Sequence, residues 1–425
     1  MHAIGIDIGT TSICAIRIDT VSGKVIASHT QNSNAFIATD ATWEKIQNVD
    51  KVISIALALL DEMITPDTVA IGVTGQMHGI VYTDAEGNAV SPLYTWQDGR
   101  GNQPYGDTTY AGFLHSYSGY GNVTDFYNRE NGLRPANAVC YCTIHDYLVM
   151  RLCGLKKPLV HTSDAASFGM YDVEKRTFSY DVPFETVDGY VIAGSYKGIP
   201  VSVAIGDNQA SVFSTLANHA DVLVNVGTGS QISVVSNVPV RAENIETRPY
   251  FDGKYLIVGS ALCGGRAYSV LKDFYKPVLS YNADVTDDQV YAIMERMLNE
   301  PGASVKVDTR FAGTRADPFV RGGIYGLSAE NFTPQAMARG VLEGMISELY
   351  GMYRLMDSPK TGLVCSGNGI RKNRHLSNLA ENTFACKMKV PAHMEEAAFG
   401  AALFGTICAG VFLNSTDAQS LISYI

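Results

Sequence analysis

The stretch Ile4-Gly-Ile-Asp-Ile-Gly-Thr-Thr-Ser-Ile-Cys-Ala-Ile-Arg-Ile-Asp19 decides how the rest of the chain is read. Apolar residues alternate on both sides of Gly9-Thr10-Thr11, which predicts two short strands joined by a turn. Gly9 admits a positive φ, so the amides of Thr10, Thr11 and Ser12 can converge on one concavity. Such a nest holds phosphate oxygens without a basic side chain. Asp7 closes the first strand, where its carboxylate is placed to face a Mg²⁺ bridging those phosphates. The competing reading is an ordinary hairpin with a polar turn. A partial copy favours the first reading: Val224-Asn-Val-Gly-Thr-Gly-Ser-Gln-Ile-Ser-Val-Val235 repeats Gly9, Thr10 and Ser12 as Gly227, Thr228 and Ser230, 218 residues later. One such hairpin per half, the second also carrying Gly229, predicts an internal duplication with a nucleotide between the halves.

Outward from the first hairpin, Lys24–Thr30 reads as a third strand. Trp43, Ile46, Val49, Ile53, Leu57, Leu60 and Ile64 recur at helical spacing and predict one face of a long helix. Val69–Thr74 is a continuous apolar run, as in a strand buried on both faces. The order strand–strand–strand–helix–strand is that of a ribonuclease-H-like unit. The second half repeats it, with strands near 221–226, 230–236 and 254–259, a helix near 333–356, and a strand at Gly362–Cys365. Helices near 373–384 and 395–410 follow. The fold class expected is therefore α/β, two duplicated ribonuclease-H-like domains of the actin-like ATPase type with a cleft between them, divided as 1–212 and 213–425. Residues 280–330 break the repeat and read as an insertion or sugar-side loop. Residues 95–160, rich in Tyr, Gly and Asn, read as a surface elaboration where ligand contacts gather.

The 425 residues suffice for two ordinary domains. With 32 Lys and Arg against 42 Asp and Glu, the net charge of −10 argues against nucleic acid or an anionic membrane as the main partner. Eight scattered cysteines show no paired zinc spacing, and the chain opens directly in a strand, so a cytoplasmic protein with reduced thiols is expected. Ala397–Leu413 lacks charge over 17 residues, but three glycines dilute it, and a tightly packed buried helix is expected rather than a membrane span.

Four further segments carry chemistry. Gly75-Gln-Met-His-Gly79 follows the strand ending at Thr74, so Gln76 and His78 sit where a buried strand meets a ligand. Thr95-Trp-Gln-Asp-Gly-Arg100 offers Trp96 to stack on a sugar and Arg100 to hold hydroxyls; the alternative is a structural Asp98–Arg100 pair. Val201–Ile205 feeds Gly206-Asp-Asn-Gln-Ala-Ser211 and a helix. Asp207 there reads both as an N-cap and as a base on a substrate hydroxyl, kept ionised by the helix N-terminus. Ser366-Gly-Asn-Gly-Ile-Arg-Lys-Asn373 sits between a strand and a helix, where small residues let a flat base lie against backbone and Asn373 can reach it.

In this order the motifs resemble those of the FGGY family of carbohydrate kinases, over essentially the whole chain. DIGTTS at 7–12 is similar to the family's first phosphate motif, VGTGSQ at 226–231 to its second, and SGNG at 366–369 to its adenosine motif, with Asn368 where a third small residue is common. GDNQAS at 206–211 resembles the segment with the catalytic aspartate, while 321–327 and 338–344 resemble the sugar-side loop and the helix after it. GQMHG resembles the ketose kinases. TWQDGR, Thr143–Gly154 and Ala165–Gly169 look most like the branch that phosphorylates sedoheptulose, with xylulose or another pentulose the alternative acceptor.

The resemblance implies transfer of the γ-phosphoryl of ATP to the terminal primary hydroxyl of a ketose. It implies Asp207 as catalytic base, and Asp7 with Mg²⁺ at the β,γ-phosphates. Thr10, Thr11, Ser12, Gly227, Thr228, Gly229 and Ser230 would line the phosphates, and Gly367, Asn368, Gly369 and Asn373 the adenosine. Gln76, Met77, His78, Asn208, Trp96 and Arg100 would hold the sugar. Partners expected are a small-molecule sugar and ATP, and a homodimer is compatible with the family. A reading from another class is an ATP-binding switch of the actin or chaperone kind, which would share both hairpins but need neither GQMHG nor GDNQAS.

Overall fold

The computed structural model describes residues 1–281, 283–314, 317 and 319–425. Its chain packs into two units, one of Met1–Ala217, Arg248–Tyr255 and Ala392–Ser423, the other of Asn218–Thr247, Leu256–Pro391 and Tyr424–Ile425. Packing thus divides the chain discontinuously, whereas the sequence reading used two continuous blocks.

In the first unit, β1 (His2–Ile8), β2 (Ser12–Asp19) and β3 (Val25–Asn32) form an antiparallel meander. Helix α1 (Val49–Met63) leads to β4 (Thr68–Gly75), which lies parallel to β1. Helix α1 begins later than its apolar spacing suggested, because Asn48 caps it by accepting the Lys51 amide, leaving Trp43 and Ile46 outside. After α2 (Ile144–Cys153) come β5 (Ile192–Tyr196), β6 (Ile199–Ser202), the two-residue β7 (Ile205–Gly206) and α3 (Asp207–Thr215). The sheet runs β5-β6-β4-β1-β2-β3, with β7 also paired to β4. Ile4, Ile6, Ile8, Ile71 and Val73 join α1 and α2 in one buried cluster.

The opposite face carries the helix Glu396–Cys408, whose Ala398–Ile407 are all buried. Its approach is backbone to backbone. A Cβ on Gly5 would overlap the Ala398 carbonyl oxygen, one on Gly72 that of Ala401, and one on Gly400 that of Ala210. Glycine at these positions is why the charge-free run packs inside the molecule and why residues 392–423 belong with the first unit. Among the described residues no helix is long and apolar enough to cross a membrane.

Residues 95–160 depart from the surface elaboration expected. Cys140–Cys142 is a buried strand, and α2 buries eight of its residues, Ile144 to Met150 and Leu152. Polar side chains there are satisfied by buried partners: Tyr141 Oη donates to Asn122 Oδ1 (2.7 Å), and Asp125 Oδ1 accepts from Tyr82 Oη (2.9 Å). Polar residues are buried cheaply when paired in this way.

The second unit repeats the topology. Strands β8 (Asp221–Val226), β9 (Ser230–Ser236), β10 (Ile245–Pro249) and β11 (Tyr255–Ala261) are followed by α4 (Gly265–Ser280), α5 (Asp287–Asn299) and α6 (Pro334–Leu355). Then come β12 (Gly362–Ser366), α7 (Asn368–Lys372), α8 (Arg374–Phe384) and β13 (Met388–Lys389). The sheet order is β10-β11-β9-β8-β12-β13, so β11-β9-β8-β12 reproduces β3-β2-β1-β4. The insertion expected over 280–330 is in part helix α5; Asn282, Arg315, Ala316 and Pro318 lie outside the described residues. All eight cysteines are free thiols.

Candidate active site

Three parallel strands end side by side in the first unit. Asp7 pairs with Thr74 across β1 and β4, while Gly75 lies opposite both Ile8 and Gly206. The strand ends therefore bring Asp7, the Gln76–His78 turn and Asp207 together from three remote parts of the chain. Asp207 is the first residue of α3 and not its cap; the cap is Gly206, with no side-chain hydrogen bond. The capping role expected of Asp207 is thus corrected, which leaves its carboxylate for other work. Burial raises the Asp207 pKa to about 6, against the lowering effect of His145. Asp7 rises to about 7, through burial first and then the charge of Asp207. Asp7 Oδ1 and Asn208 Oδ1 are buried without a hydrogen-bond partner.

A closed ring of hydrogen bonds ties the first hairpin to the Gln76 turn. Trp96 Nε1 donates to Thr10 Oγ1 (2.9 Å), and Thr10 Oγ1 to Gln76 Oε1 (3.2 Å). Gln76 Nε2 donates to Gln47 Oε1 (3.1 Å), and Gln47 Nε2 returns to the Thr10 carbonyl (2.6 Å). Thr10, Gln76 and Trp96 are thereby gathered, with the Trp96 ring partly exposed. His78 takes a left-handed φ of 74°, stacks on Tyr120 at 4.3 Å, and donates through Nδ1 to the Ser167 carbonyl (3.0 Å). Met77 is buried, its Sδ 3.8 Å from the Arg248 guanidinium.

Arg100 is not gathered there, and its reading as a sugar ligand is corrected. It is 1% exposed. Its Nε donates to Asp98 Oδ1 (2.6 Å), NH1 to Asn128 Oδ1 (2.5 Å), and NH2 to Glu44 Oε1 and Asp98 Oδ2 (both 3.2 Å), over the Tyr94 ring. A planar fork so engaged is a structural pair.

Sequence reasoning missed Arg248, Gln47 and the pair His145–Asp164. His145 and Asp146 lie within the quoted Thr143–Gly154 segment, but no spacing rule connects them to Asp164 or to the strand ends. His145 Nε2 lies 3.1 Å from Asp164 Oδ2, both fully buried. Burial alone would depress the His145 pKa; the Asp164 carboxylate overrides it and raises it to about 9.

In the second unit the β8–β9 turn is bound to the start of α4. The Gly265 amide donates to the Gly227 carbonyl (2.9 Å) and the Arg266 amide to that of Thr228 (3.0 Å). Beside it opens a cavity of about 670 Å³, the size of a small-molecule site. Gly227, Thr228, Asn368, Gly369 and Asn373 line it, together with Tyr268 and Asp288, which the sequence reading omitted. Tyr268 stacks on Tyr291 at 5.9 Å. Gly229, Ser230 and Gly367 stand outside the lining. Gly367 instead caps α7 with φ 86°, tight against the Val226 backbone. Thr11 and Ser12 stay in the first hairpin, where the Thr11 carbonyl accepts from the Ser33 amide (2.8 Å) and Ser12 opens β2.

Residues 2–108 match the N-terminal domain of the FGGY family of carbohydrate kinases, and residues 222–409 its C-terminal domain. The chain belongs to the FGGY family. Members are phosphotransferases with an alcohol group as acceptor, so the switch reading without an acceptor falls away. The FGGY chain is 27% identical to sedoheptulokinase of Mus musculus, over 94% of its own length and 96% of the relative's. Two solved FGGY-type structures share its two-domain actin-like fold. Gluconate kinase from Lactobacillus acidophilus matches with a TM-score of 0.85 at 18% identity, over 100% of this chain and 92% of that one. Xylulose kinase from Rhodospirillum rubrum matches with 0.85 at 20%, over 100% and 93%.

Proposed function

We propose that this FGGY kinase phosphorylates the terminal primary hydroxyl of a ketose with ATP, sedoheptulose being the preferred acceptor and xylulose or another pentulose the next. The observation that carries the reaction is the half-buried Asp207, set beside Asp7 and Gln76 on three neighbouring strand ends, with a pKa of about 6. Such a carboxylate is ionised at neutral pH and basic enough to accept a proton. The likeness to sedoheptulokinase along the chain supports the choice of sugar.

In this reading Asp207 takes the proton of the attacking hydroxyl, whose oxygen bonds to the γ-phosphorus as the bond to the β,γ-bridging oxygen breaks and ADP leaves. The transition state is loose, so placement and charge neutralisation matter more than covalent help. Gln76, Met77, His78 and Asn208 hold the sugar, with Trp96 at its exposed side. Thr10, Thr11, Ser12 and the Gly227–Ser230 turn serve the phosphates; Gly367, Asn368, Gly369 and Asn373 serve adenosine. The donor set suits Mg²⁺: Asp7 offers a buried, unpartnered carboxylate oxygen, the hard ligand that ion takes. Bound there, Mg²⁺ neutralises phosphate charge. We place the duplication boundary between residues 212 and 213 and the protein in the cytoplasm.

The test is ADP release over a panel of ketoses and polyols. Sedoheptulose gives the highest kcat/KM, pentuloses less, glycerol almost none. Glycerol or an aldose as the best acceptor refutes the assignment of the sugar.

A further inference from the structure

Beneath the strand ends lie three wholly buried titratable side chains that the reaction above does not use, His145, Asp146 and Asp164. One ligand atom from each falls within 4.8 Å of the others, a spacing open to a metal ion. The hydrogen bonds favour a proton instead. His145 Nε2 is already 3.1 Å from Asp164 Oδ2. Asp146 Oδ2 already accepts from Thr143 Oγ1 (2.7 Å) and the Thr143 amide (3.3 Å) in the capping box of α2. A metal on Nε2 would displace the His145–Asp164 bond, while Asp146 Oδ1 and Asp164 Oδ1 carry no hydrogen bond.

The other imidazole nitrogen, Nδ1, is buried without a hydrogen-bond partner. It faces Gly75: a Cβ there would stand 3.1 Å from it. Gly75 pairs with Gly206, the residue before Asp207. The imidazole thus lies directly under the point where β4 and β7 deliver Gln76 and Asp207.

We propose that His145, held as an imidazolium by Asp164, is a positioning residue for the proton acceptor: its buried positive charge keeps the Asp207 carboxylate ionised and in place. The proposal rests on the reading of Asp207 as base. The charged groups facing the imidazole are Asp164 from the short helix Thr162–Ala165, Asp146 from its own helix, and Asp207 from α3. Around Asp207 stand His145, Asp164 and Arg248; Asp7 on β1 is reached by both Asp207 and His145. In this set only His145 and Arg248 are cations, so removing one leaves the carboxylates under-compensated. His145 opposes the rise in the Asp207 pKa, and loss of its charge moves that pKa further up.

The experiment compares wild type, His145→Gln, Asp164→Asn and Asp207→Asn as full chains, with kcat and sugar KM measured from pH 5 to 9 at saturating ATP and Mg²⁺. Glutamine still donates a hydrogen bond to Asp164 but carries no charge. Losing a nearby opposite charge is worth about one pKa unit or more. The acidic limb of kcat in His145→Gln therefore moves up by about one pH unit, lowering the rate at pH 5 about tenfold. Most of the rate returns by pH 9, with sugar KM changed less than about twofold. Asp164→Asn unties the imidazolium but also removes a carboxylate that itself raises the Asp207 pKa, so the limb moves in the same direction by less than in His145→Gln. It carries the test if His145→Gln does not fold. A limb that stays in place, or a loss uniform across pH, overturns the proposal. Near wild-type kcat in Asp207→Asn would instead overturn the assignment of the base, so the two failures are told apart.

Discussion

Replacing Asp207 with asparagine should make the enzyme slower and, above neutral pH, more stable. The side chain keeps its size and has no capping bond to lose. What disappears is a carboxylate whose pKa stands at about 6 in place of 3.8 because burial penalises its charge. Between those values the folded protein holds a proton that the unfolded chain has released. Stability therefore falls as pH rises from 3.8 to about 6 and stays lower above it. At 1.36 kcal/mol per pKa unit the ceiling is about 3 kcal/mol. Asp207 keeps intermediate exposure, so solvent screening reduces this to about 1–2 kcal/mol. Asparagine does not titrate. At pH 8 the variant should exceed wild type by that amount, a rise of roughly 2–5 °C in unfolding midpoint for a unit of this size, and at pH 4 it should show no advantage. In the same protein kcat falls by about 10²–10⁴, the contribution of a positioned base. The assays are ADP release at saturating substrates and thermal unfolding at pH 4 and pH 8. A kcat within a few-fold of wild type refutes the base, and a stability difference independent of pH refutes the strained carboxylate.

Three other outcomes follow from the packing. Gly72→Ala forces a methyl group into the Ala401 carbonyl; overpacking of this kind costs about 1–3 kcal/mol, so the unfolding midpoint drops, and an unchanged midpoint would disprove the backbone contact. Arg100→Met leaves Asp98 buried without its cation and costs about 3–5 kcal/mol; the folded fraction retains its sugar KM, whereas a raised KM with unchanged stability would restore Arg100 to the sugar site. Asn373→Ala removes the cap that accepts from the Leu376 amide at 3.0 Å, worth about 0.5–2 kcal/mol. Because Asn373 also lines the cavity of the second unit, KM for ATP rises while sugar KM holds; no change in ATP KM would detach that cavity from the nucleotide.

Much of this protein was legible in its linear order because the deciding signals are local. The alternation around Gly9, its copy around Gly227 and the apolar run at 69–74 specify strands through near neighbours in sequence, and the observed β1, β2, β4, β8 and β9 follow them closely. The turn residues Asp7, Gln76 and Asp207 could be named for the same reason, since each ends a strand or opens a helix. What tertiary structure alone decided depends on residues far apart in sequence. The register of β1, β4 and β7 brings residues 7, 75 and 206 side by side. Asp98 and Arg100 could be read as a ligand pair or a structural pair until Asn128 and Glu44 filled the remaining donors. Helix α5 read as an interruption until it was found lining a cavity with Asn368 and Asn373. His145 stands 19 residues from Asp164 and 62 from Asp207, with no periodicity to link them. Periodicity reports the environment of an element, but a buried charge is set by every group around it, and only the folded chain brings those groups together.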